Sequence, residues 1–325
     1  MKSIIRFGVG FLILFSAFVG PTGWAQKYPE RPVRLIVPFV AGGNIDVIAR
    51  LFAQALSEEL GQPFVVDNRA GANGNTGTEQ VARSPANGYT LAMVSAATMA
   101  INPFLYQSMP FDTEKDLSPV SLVASGPMVL EVNNALPIQN IKALMIYAKA
   151  HPGKLNFGSG GNGSLSHLSF EMLRQRASLD IVHIPYKGTS LAANDLLAEH
   201  IQAMFDTLST AVPMIKESRV RGLAVTSAKR SEAVPNLPTL MEAGVKDYSA
   251  EAWSGVVAPA GTPKAIITRL QTAMAKICQL EFIHKKLTVV GSQAVGNRPE
   301  EFLAIIRAER ARWSEIVRVS GATLD

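Results

Sequence analysis

Two glycine-rich runs mark the places where this 325-residue chain could do chemistry. Ala41-Gly42-Gly43-Asn44-Ile45-Asp46 follows an apolar β-forming stretch that ends at Phe39. Gly158-Ser159-Gly160-Gly161-Asn162-Gly163-Ser164 follows another. Glycine lets a ligand approach the main chain, and the free N–H groups of a helix's first turn favour an anion. Both runs are therefore read as anion-binding loops, with the hydroxyls of Ser159 and Ser164 reinforcing the second. Asp46 is read first as a helix cap, because its charge would oppose an anion. Uncharged Asn44 serves equally as cap or contact. His167, one helical turn after Ser164, either packs at the wall or meets a ligand oxygen. Asp206 ends a further apolar strand, and it either caps the next segment or accepts a hydrogen bond from a ligand amine or hydroxyl. Ser95 and Ala96 end another strand and are placed on the floor of the site, with Tyr186 and Lys187 at its wall.

Competing chemistries lack their residues. Residues 158–163 match G-x-G-x-x-G, but the dinucleotide fingerprint also wants an acid ending the next strand to take the ribose hydroxyls. That strand ends His183-Ile184-Pro185-Tyr186-Lys187, with Asp180 at its beginning. Neither loop serine stands in G-x-S-x-G, and the order of Ser164, His167 and Asp206 is unlike the hydrolase order. No carboxylate pair suits glycoside hydrolysis. The five histidines form no metal-ligand spacing, so no cofactor and no metal are expected.

The loops need elements to hold them at strand ends, and the chain supplies these twice. Strands are predicted at 33–39, 64–66 and 89–95, alternating with helices, the first of them stopped by Gly61. The loop at 68–77 is too glycine-rich for either state. The rhythm recurs with strands at 155–157, 180–186, 201–205 and 222–226 and helices near 165–176 and 191–199. Strand and helix in alternation predict parallel pairing through crossover helices. Two apolar extended segments, 120–133 and 253–259, are read as crossings between the two units. Helices at 263–280 and 299–319 follow; Phe302, Ile305, Ile306, Trp313, Ile316 and Val317 share one face of the second and are expected to cover the first unit. The predicted fold class is α/β, with two open, mostly parallel sheets joined by two crossover segments. The predicted domains are 26–125 with 250–325, and 126–249. A cleft between the carboxyl ends of the strands is where a ligand would lie.

The first twenty-five residues read as a secretory signal. Lys2 and Arg6 precede an apolar run, and Gly23-Trp24-Ala25 ends in small residues. The run is shorter than the ~20 residues that span a bilayer. Cleavage between Ala25 and Gln26 and a mature protein in the periplasm are expected. The charge of +5 includes Lys2 and Arg6, and no basic run is interleaved with aromatics, so no nucleic acid partner is expected. Cys278 is the sole cysteine, so no intrachain disulfide can form, and its apolar surroundings suggest a core residue.

The segment YPERPVRLIVPFVAGGNIDVIARLFAQALSEELGQPFVVDNRAGANGNTGT closely resembles the opening of the Bug family, extracytoplasmic receptors of tripartite tricarboxylate transporters. GYTLAMVS, INPFLY, HPGKLNFGSGGNGSLSHL, DIVHIPYKG, MFDT, LAVTSAKRS, LPTLMEAG and APAGTPK agree. The resemblance covers essentially the whole mature chain. It implies a two-domain periplasmic-binding-protein fold, type II-like, that closes on a small carboxylated solute. It also implies that backbone N–H groups and ordered water hold the carboxylate between 41–46 and 158–167, with Asp206 nearby. Val40 stands where the family often has proline, and Asn44-Ile45 departs from the common residues there. The expected protein is a monomeric receptor, not an enzyme, that passes its solute to a membrane permease or reports it to a sensor. Its rivals are an exported enzyme acting on a small acid and a binding module for another protein.

Overall fold

The computed structural model describes residues 28–324. The signal predicted over 1–25 lies outside them. The chain opens with β1 (Val33–Val37), α1 (Asn44–Leu60), β2 (Phe64–Asn68), α2 (Asn75–Ala82) and β3 (Thr90–Ser95). A π-turn then leads into α3 (Asn102–Leu105) and the long strand β4 (Leu117–Val132). The second series is α4 (Ile141–Ala150), β5 (Asn156–Ser159), α5 (Leu165–Ala177), β6 (Val182–Pro185), α6 (Thr189–Leu197), β7 (Ala203–Thr207), α7 (Leu208–Lys216) and β8 (Arg221–Val225). The chain returns through β9 (Glu251–Pro259) to α8 (Lys264–Ile277), α9 (Glu281–Val289), β10 (Gln293–Ala294) and α10 (Pro299–Ser320).

Local chemistry explains the boundaries that matter for the loops. β1 buries Val33, Leu35, Ile36 and Val37, as a strand covered on both faces must. α1 turns Ile48, Phe52, Ala55 and Leu56 inward at helical spacing. It ends at Gly61, whose left-handed backbone (φ 73°) lets its N–H reach Ser57 O at 3.0 Å. Within the run predicted as loop, a short 3-10 turn forms at Ala72–Gly74 and α2 begins at Asn75.

Parallel ladders join β2, β1 and β3 on one side and β6, β5 and β7 on the other. The two crossings are themselves sheet strands and run antiparallel to their neighbours. β9 pairs with β3 and with the first part of β4, from Leu117↔Pro259 to Pro127↔Glu251. From Met128 to Val132, β4 pairs instead with β7 and, on its other edge from Val129, with β8. One strand thus carries the hydrogen-bonded path from the first series into the second. Cys278 is buried beside Val123, and burial pushes its thiol up to about 11.

The apolar face of α10 serves both series, where the sequence predicted it to cover only the first. Phe302 and Ile306 pack with Ile36, Val94 and Trp253, whereas Trp313, Ile316 and Val317 pack with Leu168, Phe170 and Phe205. Length is the reason: 22 residues rise about 33 Å, more than one unit needs for cover. Trp313 also donates its indole N–H to Glu309 Oε2 at 2.7 Å, and Arg312 ties Glu309 to the carbonyl of Ser249. Trp313→Ala should therefore cost ~3–5 kcal/mol, the range for emptying a large buried aromatic site, read as a lower urea midpoint.

Candidate functional site

A cavity of about 180 Å3 opens where the end of β3, the start of β9 and the middle of β4 meet the N-termini of α1 and α5. Phe39, Asn44, Ile45 and Ile48 line one side, Ser95, Ala96 and Ala97 the end of β3, and Ala124, Ala252, Trp253, Ser254 and Ser292 the floor. Leu165, the first residue of α5, faces them from the second series. No lysine, arginine, histidine or carboxylate is among these lining residues.

The first glycine loop leaves donors free. Gly43 is the residue before α1, with extended backbone and no side-chain cap, and the first helical bond runs from Val47 N to Gly43 O. The N–H groups of Asn44, Ile45 and Asp46 precede that bond and have no intrahelical acceptor. Asn44 is the first helical residue rather than a cap. Asp46 is buried and works from behind the loop: Oδ2 accepts from Gly42 N at 2.8 Å and Arg50 Nε at 2.9 Å, and Oδ1 accepts from Asn68 Nδ2 at 2.9 Å. Burial alone would raise its carboxyl, but these bonds outweigh it and hold the group below the usual carboxylate range. Gly42 turns through the left-handed region (φ 81°) to present its N–H to Asp46. Ala41 and Gly42 are exposed at the rim, outside the cavity lining.

The second loop uses its donors on itself. Gly160 N donates to Ser166 Oγ, Gly161 N to Ser159 Oγ and Gly163 N to His167 Nδ1, each at 3.1 Å. Ser164 caps α5, accepting from His167 N at 3.2 Å. Ser159 Oγ lies 2.6 Å from His183 Nε2, and the rings of His167 and His183 stack at 3.9 Å. Because Gly163 donates to Nδ1, the His167 proton sits on Nε2, 3.8 Å from Glu171 Oε1. Burial, with His183 and Arg174 beside it, pushes His167 down to about 3; burial and Arg174 push His183 down to about 4. Both rings are neutral.

Of the residues singled out from sequence, the structure brings Phe39, Asn44, Ser95 and Ala96 together on the cavity, with Gly43 immediately before Asn44. Ser159, Gly160, Ser164 and His167 belong to the network inside the second loop, and Asn162 is exposed at its tip. Tyr186 donates its hydroxyl to Asp195 at 2.6 Å, and Lys187 is exposed. Asp206 is buried and accepts from Thr207 N at 2.7 Å and Thr210 Oγ1 at 2.5 Å; burial raises its carboxyl. Near it Glu131 is fully buried with neither carboxyl oxygen hydrogen-bonded, and burial, then the charge of Asp206, raises it well above the usual range. Sequence reasoning missed Ile45, Ile48, Leu165 and Trp253 as lining. Trp253 lies in a segment recognised as extended, but only the register Ser95↔Ser254 places it at the end of β3.

The sequence pattern described as tripartite tricarboxylate transporter family receptor matches residues 48–322. Protein BugT of Bordetella pertussis is 37% identical over 317 residues, covering 97% of each chain. Among solved structures, R. palustris Rpa4515 with adipate aligns with a TM-score of 0.80 at 37% identity, over 91% of this chain and all of the other. MatC from Rhodopseudomonas palustris with bound malate aligns with a TM-score of 0.76 at 29% identity, over 89% of this chain and all of the other.

The buried titratable groups make two opposite pH signatures. His167 and His183 take up protons near 6.5 when unfolded but only near 3 and 4 when folded. Their contribution therefore destabilises the fold as pH falls below 6.5, by at most about 2.7 kcal/mol per unit for two protons. A His167→Gln, His183→Asn double variant should flatten the acid limb of stability measured by urea titration between pH 7 and pH 4. Glu131 has the reverse sign: its folded value is raised, so its stability is complete below the unfolded 4.5 and is lost as pH rises through the folded value. Glu131→Gln should gain stability over the parent at pH 8, with the difference shrinking toward pH 4.

Proposed function

The chain belongs to the tripartite tricarboxylate transporter receptor family, and from that premise we propose that the cavity at the head of α1 is where it takes its solute. Family membership makes it a solute-binding receptor for small carboxylates rather than an enzyme. One observation supports the location above all: the uncapped first turn of α1 opens on a cavity with no charged side chain in its lining. An anion there meets free N–H groups at the positive end of a 17-residue helix, and no carboxylate competes for them. The aliphatic walls from Ile45, Ile48 and Leu165 take the rest of the molecule.

In this reading residues 26–125 with 250–325 form one domain and 126–249 the other, with solute bridging them. The free N–H groups of Asn44, Ile45 and Asp46, just past Gly43, hold the carboxylate, and Gly42 braces the loop through Asp46. Ser159, Gly160, Asn162, Ser164, His167 and Tyr186 belong to the facing wall, and Asp206 stands behind it. Closure is favoured because the anion gains contacts from both sides only then, which is the differential affinity that a two-state change requires. The mature protein works in the periplasm after removal of residues 1–25, as a monomer, and delivers solute to a membrane permease or a sensor.

Calorimetry of the mature chain with adipate and with malate tests the reading. One equivalent of at least one acid should bind and be recovered unchanged, and at 100 times the dissociation constant the fold should gain ~2.7 kcal/mol. Catalytic turnover of the acid, or no binding to either, would defeat it. Asn44→Pro removes one N–H at a position where helices tolerate proline, whereas Asn44→Ala keeps it. The proline variant should bind about tenfold more weakly than the alanine variant, the loss expected for one hydrogen bond to a charged group.

A further inference from the structure

We propose that the solute carries, besides its carboxylate, a hydroxyl, and that Asn44, Ser95 and Trp253 read it. The inference rests on the carboxylate reading above and sharpens it. Three residues of the cavity lining hold a buried polar atom with no hydrogen-bond partner: Asn44 Oδ1, Ser95 Oγ and Trp253 Nε1. Ser95 and Trp253 are 8% and 5% exposed. Buried polar groups are normally paired. The contrast lies in the same molecule, where the indole of Trp313 donates to Glu309.

The types of the three atoms narrow what can satisfy them. An amide oxygen only accepts, an indole N–H only donates, and a serine hydroxyl does both. A carboxylate accepts and cannot serve Asn44 Oδ1. A methylene chain serves none of the three. An ammonium would serve Asn44 but not the indole, and it would set a positive charge against the positive end of α1. A hydroxyl donates once, accepts twice and adds no charge to a cavity whose remaining lining is uncharged and, apart from Ser254 and Ser292, apolar. A site built with such groups rejects the analogue that leaves them unpaired.

Matched pairs of acids test this on the mature chain: malate against succinate, 3-hydroxyadipate against adipate, and 3-hydroxybutyrate against butyrate. In each pair that binds, the hydroxy acid should be tighter by about tenfold or more. Asn44→Ala, Ser95→Ala and Trp253→Phe, each verified as folded by its melting curve, should bring that ratio toward one. In the unmodified protein the indole 15N–H resonance of Trp253, assigned by its loss in Trp253→Phe, should move downfield with the hydroxy acid and not with its partner. Plain acids bound as tightly as their hydroxylated partners, or a preference untouched in all three variants, would overturn the inference while leaving the carboxylate reading in place. If neither malate nor adipate bound, the carboxylate reading itself would fall and this inference with it.

Discussion

The backbone ladder of β4 is the constraint on which the other relations in this molecule depend. Its sixteen residues change partners at Pro127–Met128, from β9 to β7 and β8, without leaving the extended state. The N-termini of α1 and α5 face each other across the cavity because both series hang from this strand. The handover is tightly made. Met128 N donates to Thr226 Oγ1 at 2.8 Å, and Gly126 sits so close to the carbonyl of Gly291 that no side chain would fit between them. α10 adds a second connection, since its two ends pack on different series.

Two loops that look alike in composition have opposite electrostatic characters. In the first, Asp46 reaches back to hold Gly42 from behind, so the helix amides in front of it remain available. In the second, side chains of the same segment take up the amides of Gly160, Gly161 and Gly163. The anion-attracting character of the cleft is therefore concentrated at α1. A carboxylate at that turn would gain from oriented N–H dipoles rather than from a cation.

Much of the frame was legible because its signals are local. Gly61 stops α1, the apolar run at β1 has no alternative to burial, and the alternation of strand and helix marks α5. The glycine loops were found for the same reason. What escaped the sequence depends on contacts between distant positions. That Ser159 would meet His183, that α10 would lean on Phe170, and that Trp253 would come to the end of β3 are consequences of register and packing. Helices α4, α7 and α9 are not among the elements expected from sequence; in α7, Pro213 interrupts the helical pattern. Asp46 was readable as a structural residue because its charge argues against anion contact, whereas the internal bonding of the second loop left no trace in residue type.

The position of Cys278 has a practical consequence for following this receptor in solution. A thiol that is sealed in the core and resists ionisation reacts slowly with maleimides or iodoacetamides, which attack through the thiolate. The native chain therefore offers an almost silent background for dye attachment. A cysteine introduced at Val40, exposed on the rim of the first loop, would be the one fast-reacting position, so a single fluorophore there could report on occupancy of the cleft without prior removal of any natural residue.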